Sequence, residues 1–270
     1  MHNAGMNRFV LTLGLLLATG AFAQEEPEDT VEVRGQRKHD VPEPQRSAST
    51  TTRKELDERQ PKSTPDALKF SPGVYIQQTA HGQGSPYIRG RTGQQTLILF
   101  DGLRLNHALF RKGPNQYLFT VDARTLDRLE VVRGSASVDY GNDALAGAVL
   151  LHPIRPSIDP TKNGIHLTHR AAIRHGTADG ELGGRIQLNA QLGSKMALLL
   201  GLGGRTVGQL EAGGYAFGNG ERLERGCVDI LSIPCFEKNG RTQLGTGFDE
   251  ITGDGRFRIM LPKGTLDLAA

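Results

Sequence analysis

The stretch Ile88–Asn106, IRGRTGQQTLILFDGLRLN, and the later stretch Thr125–Gly147, TLDRLEVVRGSASVDYGNDALAG, decide the fold. Thr96–Phe100 is apolar without alternation, the pattern of a strand buried on both faces. Asp101-Gly102 then turns the chain back into Leu103-Arg104-Leu105, a hairpin by its own chemistry. Leu129–Val132 predicts another buried strand, ending at Arg133-Gly134, and Asp122 is placed to cap a short helix through Leu126. The mostly small residues of Ala144–Ala148 let backbones approach closely.

Working outward, Thr64-Pro65-Asp66 has the composition of a helix start: a Thr cap, a Pro whose missing N–H costs nothing there, and an acid in the first turn. That helix continues through Phe70 and stops before Pro72-Gly73, after which Val74–Ile76 reads as a strand. A Gly- and Gln-rich loop, Thr79–Pro86, is followed by a short strand leading into Ile88-Arg89-Gly90, and polar His107–Thr120 reads as another loop. Together these elements predict a mixed α/β unit over residues 53–155.

Five pieces of this unit, PGV at 72–74, IRG at 88–90, DG at 101–102, RLEVVRG at 128–134 and YGNDALAG at 140–147, resemble the plug domain of TonB-dependent outer-membrane receptors. Ser135, Ala146 and Leu150 depart from that pattern, where Pro, Gly and Asn are common. The resemblance implies that Arg89 and Arg133 latch the plug to carboxylates on an enclosing barrel wall. Such an ion-paired contact is strong yet separable, because the charges are rehydrated when the plug moves.

The N-terminal residues agree for a separate reason. Residues 1–23 hold Arg8, an apolar run from Phe9 to Ala18 and Ala21-Phe22-Ala23, the form of a cleaved secretory leader. That run is too short to cross roughly 30 Å of hydrocarbon as a helix. Residues 24–52 are charged and nearly free of apolar side chains, so they read as a disordered arm. Within the arm, Asp29-Thr30-Val31-Glu32-Val33 is a five-residue strand with Val31 and Val33 on one face. By resemblance it is a TonB box, which pairs with the open sheet edge of TonB, the partner that then pulls on it.

Past Pro156 the pattern changes to strict alternation. Ile186, Leu188, Ala190 and Leu192 alternate with Arg185, Gln187, Asn189 and Gln191; Ile165, Leu167, Ala171 and Ile173 alternate with His166, Thr168, Arg170 and Arg174. A period of two, apolar out and polar in, belongs to transmembrane β-strands, although a one-sided soluble sheet gives the same pattern. Residues 156–270 are therefore expected to be the first strands of an incomplete outer-membrane barrel. A plugged barrel of about 22 strands at roughly 20 residues per strand and connection needs on the order of 440 residues, and about a quarter of that follows Pro156. The chain reads as the front part of a receptor.

By resemblance, the ligand is a small-molecule metal chelate or other bulky nutrient: an iron–siderophore, haem or cobalamin. It is expected to meet plug loops at Gln78, His81, Arg111, Asn115, Gln116 and Tyr117. Outer-membrane lipid and TonB are the other expected partners, and a pore-less periplasmic binding or signalling fragment is the competing reading. Cys227 and Cys235 lie close together in an exported chain, where a disulfide, two thiols or a metal pair are all open, with the disulfide favoured. A net charge of +3, spread evenly, points away from nucleic acid, and neither a cofactor nor a metal site is expected. No G-x-S-x-G, H-E-x-x-H or phosphate-binding loop is present, so enzyme chemistry finds no foothold.

Overall fold

The computed structural model describes residues 47–78, 80–106, 117–215, 236–237 and 239–270. The leader, the box at Asp29–Val33, the loop residues Arg111, Asn115 and Gln116, and both cysteines lie outside them.

The first sheet has the order β1-β6-β7-β4-β5. Its strands are β1 (Ser47–Thr52), β4 (Thr96–Phe100), β5 (Leu103–Arg104), β6 (Leu126–Arg133) and β7 (Gly147–Pro153). β4 runs parallel to β7, with Leu97 opposite Ala148 and Leu99 opposite Leu150. The other pairs are antiparallel. Both faces of the sheet are covered. Ile98, Leu129, Val131, Val149 and Leu151 pack on one side with Leu56, Leu68, Ile76 and Ile88, while Leu97, Val132, Ala148 and Leu150 pack on the other with Ala136 and Ala144. Removing each such large side chain from water contributes roughly 1.5–3 kcal/mol, so the unbroken apolar run TLILF is what a two-faced strand requires.

Three helices dress this sheet. α1 (Arg53–Arg59) opens with a capping box in which Thr52 accepts from the Glu55 amide and the Glu55 carboxylate accepts from the Thr52 amide. In α2 (Thr64–Leu68), Ser63 is the cap, one residue before the expected Thr64, whose hydroxyl instead donates to the Val121 carbonyl at 2.5 Å. α3 (Ser137–Tyr140) follows β6. A separate hairpin pairs β2 (Val74–Gln78) with β3 (Gly84–Ile88), so the last three residues of the expected loop at 79–86 are strand. Asp122 does cap the turn after it, by accepting from the Arg124 amide, but the turn is a single 3-10 turn.

The hairpin at Asp101-Gly102 forms as expected, with both turn residues at positive φ (51° and 84°). β5 is only two residues long, and the side chain of Asn106 extends its work: Oδ1 accepts from the Ile98 amide at 2.6 Å and Nδ2 donates to the Thr96 carbonyl at 2.8 Å. Gly147 lies where β7 crosses closest to β6; a Cβ there would sit 2.1 Å from the Val132 carbonyl oxygen.

One boundary differs from the sequence reading. Ser47–Thr52, assigned by composition to the disordered arm, is β1, paired with β6 from Ser47↔Arg133 to Thr52↔Arg128. SASTTT has little apolar surface to bury, so composition argues against order. What holds it is the backbone ladder and the Arg133 guanidinium, which donates to the Ser47 and Ser49 hydroxyls at 3.0 and 2.8 Å.

The second sheet is an antiparallel meander, order β14-β13-β10-β9-β8. It comprises β8 (Ile165–Gly176), β9 (Glu181–Leu192), β10 (Met196–Val207), β13 (Phe248–Leu261) and β14 (Gly264–Ala269), with a small pair, β11 (Leu210–Glu211) and β12 (Thr242–Gln243), in the long connection from β10 to β13. It is built inside out. Ile165, Leu167, Ile173, Ile186 and Ile251 are 58–84% exposed, whereas Arg185, Gln187 and Gln191 are each 5% exposed. Among the described residues no helix is long and apolar enough to cross a membrane, which says nothing of strands.

Candidate functional site

The buried polar face of the second sheet closes on the first domain, and the seam between them is the candidate site. Along most of the seam the pairs that cross it share one polarity, with carboxylates on the α/β domain and guanidinium groups on the strands. Asp57 of α1 pairs with Arg170 of β8. Asp101, at the hairpin turn, takes Arg256 of β13 at 2.7 Å and Arg155 at 3.0 Å. Asp122 binds Arg124 beside it at 3.0 Å, accepts from Thr252 of β13 at 3.2 Å, and stands 4.0 Å from Arg185 of β9. Arg185 also pairs with Asp254.

At the end of the strands that carries the long connection, the direction reverses. Lys62 Nζ reaches Asp179, in the β8–β9 turn, at 2.6 Å, while Arg205 of β10 donates to the Lys62 carbonyl, pairs with Glu250, and lies over the Phe248 ring.

Burial pushes the Asp101 carboxyl up, and Arg256 and Arg155 outweigh it, holding the group below its ordinary value. Burial also pushes the Asp122 and Asp179 carboxyls up, and Arg124 at the first and Lys62 at the second outweigh it, holding both below the ordinary value. All three carboxylates therefore stay charged at neutral pH, and a charged group this deep persists only where it is paired.

Arg89 is exposed, at φ 50°, with its guanidinium close to Gly134; Arg133 donates to Ser47, Ser49 and the Pro72 carbonyl, all within the same domain. The two arginines are thus neighbours, and the contacts joining the domain to the strands include those of Asp57, Asp101, Asp122 and Lys62, with Arg124 donating to the Gly184 carbonyl and Arg174 to the Gln60 carbonyl. The readable sign of those contacts was the arginines at period two on the polar face, Arg170 with Arg174 and Arg256 with Arg258. An inward-facing charge on a strand requires a partner from whatever fills the concave side.

Of the expected ligand contacts, Gln78 is exposed, donates to the His81 carbonyl at 2.9 Å and accepts from Lys69 at 2.7 Å. His81 is not displayed to solvent: its side chain is 9% exposed, with Nδ1 3.9 Å from Asp179, and burial lowers its pKa. Tyr117 opens a 3-10 turn, Tyr117–Thr120. No cluster of three or more His, Cys, Asp or Glu able to hold a metal occurs among the described residues.

This arrangement, a mixed sheet covered on both faces and fitted to the polar side of an inside-out meander, has relatives. Residues 40–148 match the family model described as TonB-dependent Receptor Plug Domain. The α/β unit is a TonB-dependent receptor plug. Over 133 residues the chain is 37% identical to the vitamin B12 transporter BtuB of Vibrio vulnificus (strain CMCP6), covering 47% of this chain and 21% of that relative. Among solved structures the copper transporter OprC superposes at a TM-score of 0.60 with 17% identity, over 82% of this chain and 29% of that one. The ferric enterobactin receptor PfeA of Pseudomonas aeruginosa gives 0.56 with 20% identity, over 82% and 32%. Those two likenesses extend past the plug into the strands, so the meander has the fold of a receptor barrel's opening strands, and the plug seam is a plug–wall seam. The chain spans about a fifth of the curated relative's length.

Proposed function

We propose that this chain supplies the energy-coupling arm, the plug and the first wall strands of an outer-membrane receptor that actively imports a scarce, bulky nutrient. The observation that carries the reading is the inside-out sheet: apolar side chains such as Ile173, 80% exposed, face outward, and buried Arg185 faces the plug. A hydrocarbon surround stabilises that inversion.

Turn lengths orient it. Barrels of this kind have short periplasmic turns and long external loops, and here the two shortest turns, Gly193–Lys195 and Pro262–Lys263, share one end, while the β8–β9 turn and the long β10–β13 connection leave the other. The cluster of Lys62, His81 and Asp179 then lies at the external mouth, and the arm at Asp29–Val33 serves TonB from the periplasm. The 37% identity to a vitamin B12 transporter makes cobalamin the first nutrient to test, ahead of ferric siderophores and haem.

The test uses a receptor that carries this chain as its N-terminal part. In Val31→Pro, which removes a backbone donor from the box, cells retain cyanocobalamin binding and lose energised uptake. Uptake undiminished by that change would remove the coupling role. Recovery of the protein as a soluble monomer, with no heat-modifiable migration on a denaturing gel, would remove the membrane reading.

A further inference from the structure

Between α1 and strand β8 the seam opens into a cavity of about 440 Å³. Five cations line it, Arg53, Lys62, Arg124, Arg170 and Arg174, against three carboxylates, Asp57, Asp122 and Glu181, and Lys62 is met from outside the cavity by Asp179 at 2.6 Å, which leaves a guanidinium charge in surplus. Those carboxylates are already engaged: Asp57 Oδ1 is shared by Arg53 and Arg170, Glu181 holds Arg174, and both oxygens of Asp122 accept, from Arg124 and Thr252. Donors remain. Arg53 Nε and Arg124 Nη2 are buried without a hydrogen-bond partner among the described residues, and so are Nε and Nη1 of Arg185, whose Nη1 stands 4.0 Å from the same Asp122 and whose side chain is 1% exposed.

A buried guanidinium N–H left without an acceptor is unfavourable, and a neutral filler such as water would satisfy the bond without balancing the surplus charge. We infer that this cavity is a binding site for an oxyanion, a carboxylate or phosphate group, held by Arg53 and Arg124 with Arg185 behind them. Guanidinium forks suit that chemistry because their paired N–H groups match the spacing of two oxygens. The inference stands on the seam alone and does not depend on transport.

The probe is hydrogen exchange on the whole chain in detergent, with inorganic phosphate, citrate or cyanocobalamin against chloride at matched ionic strength. Phosphate or citrate should give saturable protection confined to residues 53–60, 122–126 and 170–174; protection by cyanocobalamin alone would assign the site to a phosphodiester carried on cargo. Arg53→Gln with Arg124→Lys should weaken binding at least tenfold. Protection no greater than chloride gives, or spread evenly over the chain, overturns the site, as does full binding by the double variant. Should that variant fail to fold, the protection map of the unsubstituted chain decides. Loss of the site would leave the uptake experiment untouched, so the two readings fail separately.

Discussion

Asn106 carries a burden out of proportion to its size, and replacing it with alanine tests whether a side chain can stand in for a strand. The residue is 5% exposed, and its amide satisfies two backbone groups of β4, the Ile98 N–H and the Thr96 C=O. Alanine orphans both. At about 1–3 kcal/mol for each buried group left unmade, the loss comes to roughly 2–6 kcal/mol, against a typical whole-domain stability of about 5–15 kcal/mol.

Asn106→Asp sharpens the point. It keeps the acceptor for Ile98 but sets a carboxylate oxygen 2.8 Å from the Thr96 carbonyl, acceptor against acceptor, so at neutral pH it should be at least as damaging as alanine. Acidification, by protonating the carboxyl, restores a donor and should recover part of the loss. Denaturant unfolding in detergent gives the global figure, and exchange of the β4 amides gives the local one. An alanine variant within about 0.5 kcal/mol of the parent, the scatter of a neutral surface change, with the Ile98 amide still protected, would refute the reasoning.

Other outcomes follow from the same geometry. Glu130 is held at about 2, below its usual 4.5, by His152 at 3.6 Å and by a hydrogen bond from Arg128 at 2.7 Å. Because the folded-state value is the lower one, its stabilisation, up to about 3 kcal/mol, is present above pH 4.5 and is lost as pH falls toward 2; Glu130→Gln should flatten acid unfolding across that window. Gly147→Ala forces a Cβ to within 2.1 Å of a carbonyl that cannot retreat without breaking the β6–β7 ladder, and should cost roughly 3 kcal/mol or more, read as loss of the folded plug on denaturant titration. Asp101→Asn keeps the left-handed turn, which Asn tolerates, but strips Arg256 and Arg155 of their carboxylate. It should weaken plug–wall docking by about 1–2 kcal/mol, between an exposed and a buried pair, seen as faster exchange in β13 with the plug core unchanged.

The plug core was legible because its strands announce themselves in two independent ways, unbroken apolar runs and punctuating turns such as Asp101-Gly102. The wall strands were legible from alternation alone, and their inward polar positions include the buried Arg185, Gln187, Gln191 and Arg256. Composition failed at Ser47–Thr52, since a strand held by its backbone and one distant guanidinium leaves no apolar trace. The seam failed for a related reason. Asp57, Asp101 and Asp122 sit on a helix, a turn and a helix-capping position, each with a sufficient local explanation, and only the fold brings them against one wall. Position within family motifs favoured Arg89 and Arg133, yet their described contacts stay inside the plug.

β1 is an outer strand of the plug sheet, joined to β6 alone, and its first rung is Ser47↔Arg133. Any tension on the chain ahead of Ser47 therefore enters the plug through this strand. Drawn along its axis, the ladder is loaded in shear and its rungs resist together; drawn sideways, it unzips one rung at a time. Arg133, clasping Ser47 and Ser49, adds side-chain bonds to the rungs that would open first, so truncating it should lower the load at which that strand begins to part.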